Sequence, residues 1–510
     1  MNIKLRRKLA ARKRRIKERL DKTKYGRECP VISASNIQYE IADRTQAISP
    51  GGLGMIHQMV KQLKLDDAIN RRVNVLKIYL PYSESDHVLN IAYNLFAGGT
   101  RLEHLELRRN DEVYLNALGA QRIPDPTTAG DFCRRCEPQH VEALMDTFNE
   151  TRIKVWQQQP SSFFEEAVID GDGTMVETYG ECKVGMDINY KGQWGFHPLI
   201  ISLANTKEPL FIVNRSGNRP SHENAAFYFD RSISVCRKAG FRRITLRGDT
   251  DFSQTEYLDR WDEEQVGFVF GIDAMPNLYD IVQTLPNDAW KRLERPARYD
   301  VKTTPRKRPE NIKEQIVVER EFKNIRLVAE YVAEFSYRPG ACKKDYRVIV
   351  VWKDLEVSQG QTKLFDDSVC FFYITNDWTS TPQEIVLRAN DRCDQENLIE
   401  QYKNGVHALI APLDNLTSNW AYMVMASLAW SLKAWSALLV PVQGRWKEKH
   451  ELEKKTLLKM DFVTFRNAMI AIPAQIIRTA GKIIYRFLAW NSWQSVFFRL
   501  VEQLRKPMRC

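Results

Sequence analysis

Between residues 52 and 155 apolar side chains recur at spacings of three and four, the period of amphipathic helices. "GGLGMIHQMVKQLKLDDAINRR" and "SESDHVLNIAYNLFAGG" carry that pattern, and "PDPTTAGDFCRRC" opens a further helix with Asp125 as N-cap and Pro126 in the first turn. From about residue 163 the texture changes. "FFEEAVID", "CKVGMDINYKGQWGFHPLIISLAN" and "PLFIVNRSGN" read as strands with intervening turns. "SHENAAFYFDRSISVCRKAG" reads as a helix with Ser221 as cap and Gly240 as stop, then "RRITLRGD" as a strand, "SQTEYLDRWDEEQ" as a helix and "VGFVFGID" as a strand. Three strands, a helix, a strand, a helix and a strand predict an α/β unit on a mixed sheet.

Residues 275 to about 385 interrupt that unit. They hold the basic, Pro-containing loop "VKTTPRKRPENIK" and the strand-like runs "EQIVVEREF", "DYRVIVVWKD" and "CFFYITN", a mainly β insertion. The helix "LRANDRCDQENLIEQYKNGVHALI" follows, then an apolar helix over 418–440 and a basic, Trp- and Arg-rich C-terminal part. The stretch "WAYMVMASLAWSLKAWSALLVPV" is interrupted by Lys433 and several serines, so a buried core helix is expected there rather than a membrane span. Its tryptophans, with Trp490 and Trp493, are expected to pack in the core rather than stack on bases.

Charge alters this picture at one end. The chain of 510 residues has a net charge of +11, and residues 1–24 hold twelve Lys/Arg against Glu18 and Asp21. A solvated tail or an Arg-rich transit peptide has such a composition, but a cationic arm that displaces counterions from nucleic-acid phosphates is the preferred reading. No apolar segment follows it as in a secretory signal, and the nine scattered cysteines indicate a reducing compartment, so a cytoplasmic protein is expected. Cys133, Cys136 and His140 lack a fourth zinc ligand and are expected to serve packing and surface roles. Gly51, Gly52 and Gly54 are not followed by the Lys-Ser/Thr of a phosphate loop.

The candidate chemistry is acidic. Asp170 and Asp172 end the first strand, Asp249 and Asp251 end the fourth, and Glu396 lies on the helix after the insertion. Strand ends converge on one sheet edge, and a helix packed across it can supply a third carboxylate. Converging carboxylates repel unless cations hold them. Oxygen-only ligation suits Mg²⁺ or Mn²⁺, and two such ions can activate a hydroxyl and stabilise the leaving oxygen of a phosphodiester. Arg392 and Lys403 share a helix face with Glu396 and are placed to hold DNA phosphates. Arg134 and Arg135, near a helix in the N-terminal region, are further DNA-contact candidates, with a plain helical bundle as the alternative.

In this order, strand–Asp, strand–Asp and helix–Glu resemble the ribonuclease H-like core of bacterial insertion-sequence DDE transposases. "RCDQENLIEQYK" fits the pattern R-x3-E-x6-K of those that carry a β insertion before the catalytic Glu, although Ala389 stands where that family has a Tyr. "SESDHVLNIAYNLFAGGTRLEHLELRRND", "LRGDTDFSQTEYLD" and "PAQIIRTAGKIIYRF" resemble one branch of the group. The resemblance covers roughly residues 50–490. It implies Asp172 (two before Thr174), Asp249 (opening a D-x-x-F turn with Phe252) and Glu396 as catalytic metal ligands, with Asp170, Asp251 and Glu400 as supporting or alternative carboxylates.

The resemblance also implies a transposase that binds its element's terminal repeats, cuts with two Mg²⁺ or Mn²⁺ ions and joins 3′-hydroxyls to target DNA. Such a protein would act as a homodimer on paired double-stranded DNA ends, near the bacterial nucleoid. A nuclease without strand transfer and a non-enzymatic DNA-binding descendant are the alternatives. The expected organisation is a basic tail and linker over 1–45, then a helical DNA-binding region over 46–160. The catalytic core follows in two parts, 161–274 and 386–445, around an insertion at 275–385, and a helical C-terminal part covers 446–510.

Overall fold

The structure is a computed structural model, described over residues 3–21, 38, 46–77, 81–295, 311–479 and 481–508. The linker expected over 25–45 and most of the basic loop around 301–310 lie outside these residues. The centre is a nine-stranded mixed sheet. Its strands, in chain order, are β1 (Glu166–Gly173), β2 (Leu199–Leu203), β3 (Glu208–Val213), β4 (Arg243–Gly248), β5 (Gly267–Ile272), β6 (Lys291–Arg292), β7 (Lys323–Tyr337), β8 (Tyr346–Gln359) and β9 (Thr362–Thr375).

The spatial order is β6-β7-β8-β9-β5-β4-β1-β2-β3. β4 runs parallel to β1, β5 runs parallel to β4, and β2 and β3 complete an antiparallel wing. The five strands β3-β2-β1-β4-β5 have the arrangement expected of the ribonuclease H-like core. β2 and β3 are buried at every position, the continuous apolar pattern of strands covered on both faces.

The insertion is continuous with this sheet. β9 pairs antiparallel with β5, matching Phe372 with Ile272, so the insertion's strands extend the core. Two details differ from the sequence reading. "EQIVVEREF" is not a strand: Ile312–Glu319 is a helix, capped by Asn311, whose side chain accepts from the Glu314 amide at 3.2 Å. The longest strand, β7, was not singled out, because charged residues interleave its apolar ones over an exposed first half.

The helical N-terminal region shares the central core. The helices Glu84–Phe96, Pro126–Arg135 and Pro138–Trp156 pack on the Leu416–Leu438 helix, in one cluster that also takes in the sheet. Asp125 caps its helix as expected, accepting from the Thr128 amide at 2.8 Å. The Leu416–Leu438 helix is buried from Ser418 to Leu438, and among the described residues no helix is long and apolar enough to cross a membrane. Trp420, Trp430 and Trp435 are core residues as expected, each donating its indole N–H.

Other expectations are corrected. Residues Ile3–Asp21, the basic segment read as a cationic arm, form a largely exposed helix, and Arg12 donates to the carbonyls of Phe487 and Ala489. The cap of the Ala225–Ala239 helix is Asn224, not Ser221, while Gly240 ends it at φ +105°. The C-terminal part is helical but holds a hairpin, Ala474–Thr479 with Lys482–Phe487, which Ala47–Ile48 joins as a third strand.

Candidate active site

β1 and β4 lie side by side in parallel, so their C-terminal ends open on one edge. Their register pairs Asp170 with Arg247. That guanidinium donates to both Asp170 oxygens, Nε at 2.7 Å and Nη2 at 2.8 Å, and both residues are buried. Asp170, the alternative ligand in the sequence reading, is thereby closed off as a scaffold ion pair.

Two residues on, the same face of β1 presents Asp172. Burial raises its carboxyl to about 7, against the guanidinium of Arg392, with the charges of Asp249 and Glu396 adding to the rise. Asp249 ends β4 and opens a single turn, where its Oδ1 accepts from the Asp251 amide at 3.1 Å. Phe252, fully buried against Phe229, locks that turn. Burial raises the carboxyl of Asp249 as well. One nitrogen of Arg392 lies 3.3 Å from Asp172 and 3.7 Å from Asp249.

The helix carrying Glu396 is not continuous. A helix over Pro382–Asn390 ends, a second runs over Cys393–Glu400, and a π turn covers Gln401–Gly405. The break has a physical cause. The carbonyl of Arg388, which a continuous helix would offer to the Arg392 amide, accepts instead from Arg247 Nη1 at 2.8 Å. The Arg392 amide turns to Ala389 at 3.2 Å, and Arg392 becomes the N-cap of the second helix. The Asp170–Arg247 pair thus helps to set where Arg392 and Glu396 stand. Buried Gln395 fixes the second helix to the sheet through Ser202 and the Ile200 carbonyl.

Glu396 is exposed at the rim. Lys403 is half-buried; burial lowers its ammonium, and the charge of Asp172 reaches it. Asp251 is exposed, and Glu400 accepts from the Asn404 amide nitrogen at 2.6 Å. Arg134 is exposed and pairs with Asp131 at 2.9 Å and Asp414 at 3.2 Å. Arg135 is exposed.

The glycines of "DGDG" serve packing. A Cβ on Gly171 would meet Phe229 at 2.6 Å, and one on Gly173 would meet His197 at 2.8 Å, so the strand lies close against its neighbours at both positions. Cys133 and Cys136 are buried with their thiols pushed up, and His140 accepts from the Glu137 amide at 3.0 Å. Among the described residues no three His, Cys, Asp or Glu side chains form a closed metal cluster. Asp172 and Asp249 nevertheless fit a divalent cation. They offer hard oxygen donors, and burial raises both even beside Arg392, an imbalance that added positive charge relieves.

Two residues that build the site escaped the sequence reading. Arg247 was legible in principle, one strand register from Asp170 in "LRGD". Arg215 was not: its guanidinium donates to the carbonyls of Pro220, Ser221 and Glu223, holding a loop that lines the same cleft as Asp172.

The family model described as "Transposase DDE domain group 1" matches residues 30–509. The chain belongs to this family of DDE transposases. Members of it cut and transfer DNA with divalent metal ions. No curated protein matches the transposase. Seven chains of solved structures do, among them a piggyBac transposase synaptic complex with hairpin DNA. That one is 10% identical over 82% of this chain and 81% of its own, with a TM-score of 0.37, a likeness too distant to carry an argument.

Proposed function

We propose that the transposase cleaves DNA phosphodiesters at the ends of its own element and joins the freed 3′-hydroxyls to target DNA, with Asp172, Asp249 and Glu396 as its metal-binding carboxylates. The observation that carries this reading is the pair of half-closed strand ends: Asp172 and Asp249, raised by burial, share one arginine nitrogen beneath the helix that bears Glu396. Their donor set fits two Mg²⁺ or Mn²⁺ ions, which when bound supply a Lewis acid for the phosphoryl oxygen and a more acidic attacking hydroxyl.

The chain's own residues do the remaining work. Asp172 and Asp249 supply acceptor oxygens from rigid strand ends. Arg392 neutralises them in the absence of metal and is placed to turn to a DNA phosphate when cations take over the carboxylates. Lys403, half-buried and within reach of the charge of Asp172, adds positive charge for the strand that enters. Arg135 and the basic Ile3–Asp21 helix are further candidates for contacts along the duplex. Paired ends in such a reaction call for two copies of the chain, and a homodimer is the expected assembly.

The test is cleavage and strand transfer on DNA carrying the element's ends, with Mg²⁺ or Mn²⁺. Asp172→Ala, Asp249→Ala and Glu396→Ala should each abolish both reactions. Parent-like cutting by all three overturns the assignment. Cutting without joined products would leave a nuclease instead.

A further inference from the structure

The register of β7, β8 and β9 gives the insertion two unlike faces, because side chains directly opposite on neighbouring strands share a face. One face is polar, with Arg326, Glu356 and Asp366 in one row. The helix Ile312–Glu319 ties to that side, where Glu314 pairs with Arg326 at 3.1 Å. The other face is apolar. It carries the rows Ile325–Val357–Phe365 and Leu327–Leu355–Asp367 towards its tip, and Val332 beside Val351 at its root.

A sheet that alternates in this way is built to pack on a second layer. At the root that layer exists: the helix Pro382–Asn390 buries Val332 and Val351 against its Ile385 and Val386. Towards the tip the same face stays apolar but uncovered. Ile325 is 59% exposed, Leu327 49% and Phe365 48%. Large apolar side chains held in water by a long antiparallel ribbon mark a contact surface. Charge indicates what covers it. Residues 311–371 hold ten Lys/Arg and ten Asp/Glu, in a chain of net charge +11. A neutral ribbon suits neither DNA phosphates nor an anionic lipid surface. On the apolar face, Lys323 on β7 and Asp367 on β9 have no ion pair among the described residues; the Lys323 ammonium only overlies the Phe365 ring, 5.6 Å from its centre. Val357 lies midway between them, one row and one strand from each. A two-fold axis over Val357 therefore exchanges the two charges, the self-complementarity that a contact between identical copies needs.

We propose that the uncovered face of the insertion is a contact between two copies of the chain, packed face to face about a two-fold axis near Val357. Each copy then sets its Lys323 against Asp367 of the other, and Ile325, Leu327 and Phe365 leave water together. The second sheet does at the tip what the helix Pro382–Asn390 does at the root. This contact rests on the homodimer of the proposed function and gives it a location, while its test contains no DNA.

The experiment is sedimentation equilibrium of the full chain without DNA, at concentrations up to about 50 μM. The parent should form a dimer. Phe365→Ser should weaken it by about tenfold or more. Lys323→Glu and Asp367→Lys each bring like charges together and should each weaken it by about tenfold, and the double variant Lys323→Glu/Asp367→Lys should return to within about twofold of the parent. All three side chains are exposed, so circular dichroism should show the parent's fold in every variant. A parent that stays monomeric throughout overturns the contact, and cleavage of element-end DNA by that monomer would leave the proposed function standing. A dimer indifferent to every variant overturns it too, by placing the interface elsewhere. Single reversals without rescue in the double variant overturn the two-fold arrangement. The expected pattern in a protein that cuts no DNA supports the contact and overturns the proposed function.

Discussion

Two carboxylates two residues apart on β1 have opposite fates. Asp170 is closed: both oxygens take bonds from Arg247, whose remaining nitrogen holds a helix carbonyl, and neither partner meets water. Glu208 is closed in the same way, accepting from Arg152 at 2.9 Å, Trp435 at 2.7 Å and Trp156 at 3.0 Å. Asp172 is left open. It shares one nitrogen of Arg392 with Asp249 at 3.3 and 3.7 Å, on the edge of a cleft. Burial alone therefore does not mark a functional carboxylate. What separates the two kinds is whether the protein completes the hydrogen bonds itself. A completed pair fixes geometry, and an incomplete one keeps room for a partner from outside.

The largest effect that tests this contrast is on chemistry. On the proposed reading, Asp172→Ala or Asp249→Ala lowers DNA cleavage by about 10³-fold or more, equal to about 4 kcal/mol of barrier, while circular dichroism and melting stay close to the parent. A variant that loses activity only because it unfolds would erase the distinction between open and closed sites. The next effect is on stability. Asp170→Ala strands a buried guanidinium and should cost about 3–5 kcal/mol, read as a lower urea midpoint. An Asp170→Ala protein as stable as the parent would remove Asp170 from the scaffold.

Smaller changes sharpen the comparison further. With the carboxyl of Asp172 near 7 when folded and near its ordinary 3.8 when unfolded, the folded chain holds a proton that the unfolded chain has released between those values. The associated stability is complete below about pH 4 and is lost as pH rises to about 7. Melting the metal-free parent and Asp172→Asn across pH 4–8 should show their difference changing by about 1–4 kcal/mol, the variant gaining relative to the parent as pH rises. Parallel curves would mean that folding leaves the Asp172 carboxyl at its ordinary value, against the open, buried state described above. Mn²⁺ at about 100 times its dissociation constant should add about 2.7 kcal/mol to the parent, reversed by EDTA and absent in Asp172→Asn. The smallest effect is expected for Arg134→Ala. Its exposed pairs with Asp131 and Asp414 are each worth about 0–1 kcal/mol in the same unfolding assay.

The two kinds of carboxylate look alike in sequence. "VIDGDGT" shows two aspartates on one strand face, and alternation alone leaves them equivalent. Parallel pairing with β4 decides between them, because Arg247 comes opposite Asp170 and stops one pleat short of Asp172. The helix around Glu396 is a second case. Periodicity predicted one helix over Arg392, Glu396 and Lys403, since no Pro or Gly interrupts the run before Gly405. The break at Asp391 comes from a distant arginine that takes the Arg388 carbonyl, a bond no local pattern reveals. "EQIVVEREF" was misread for a related reason. Val and Ile favour strands only where a sheet receives them, and there the chain forms a capped helix beside one.

Residue order and period by themselves determined the alternation of helical and extended regions, the buried character of the Leu416–Leu438 helix, the caps at Asp125 and Gly240, and the carboxylate at each strand end. These depend on neighbours within a few residues or on total apolar content, which the chain carries wherever it goes. Only the tertiary structure decided that the insertion continues the central sheet, that the basic Ile3–Asp21 helix docks on the C-terminal hairpin, and which aspartate is sealed. Each of those turns on partners more than seventy residues apart, such as Asp170 with Arg247 and Arg12 with Phe487. Strand register and helix packing bring such pairs together, and they exist only once the chain has closed on itself.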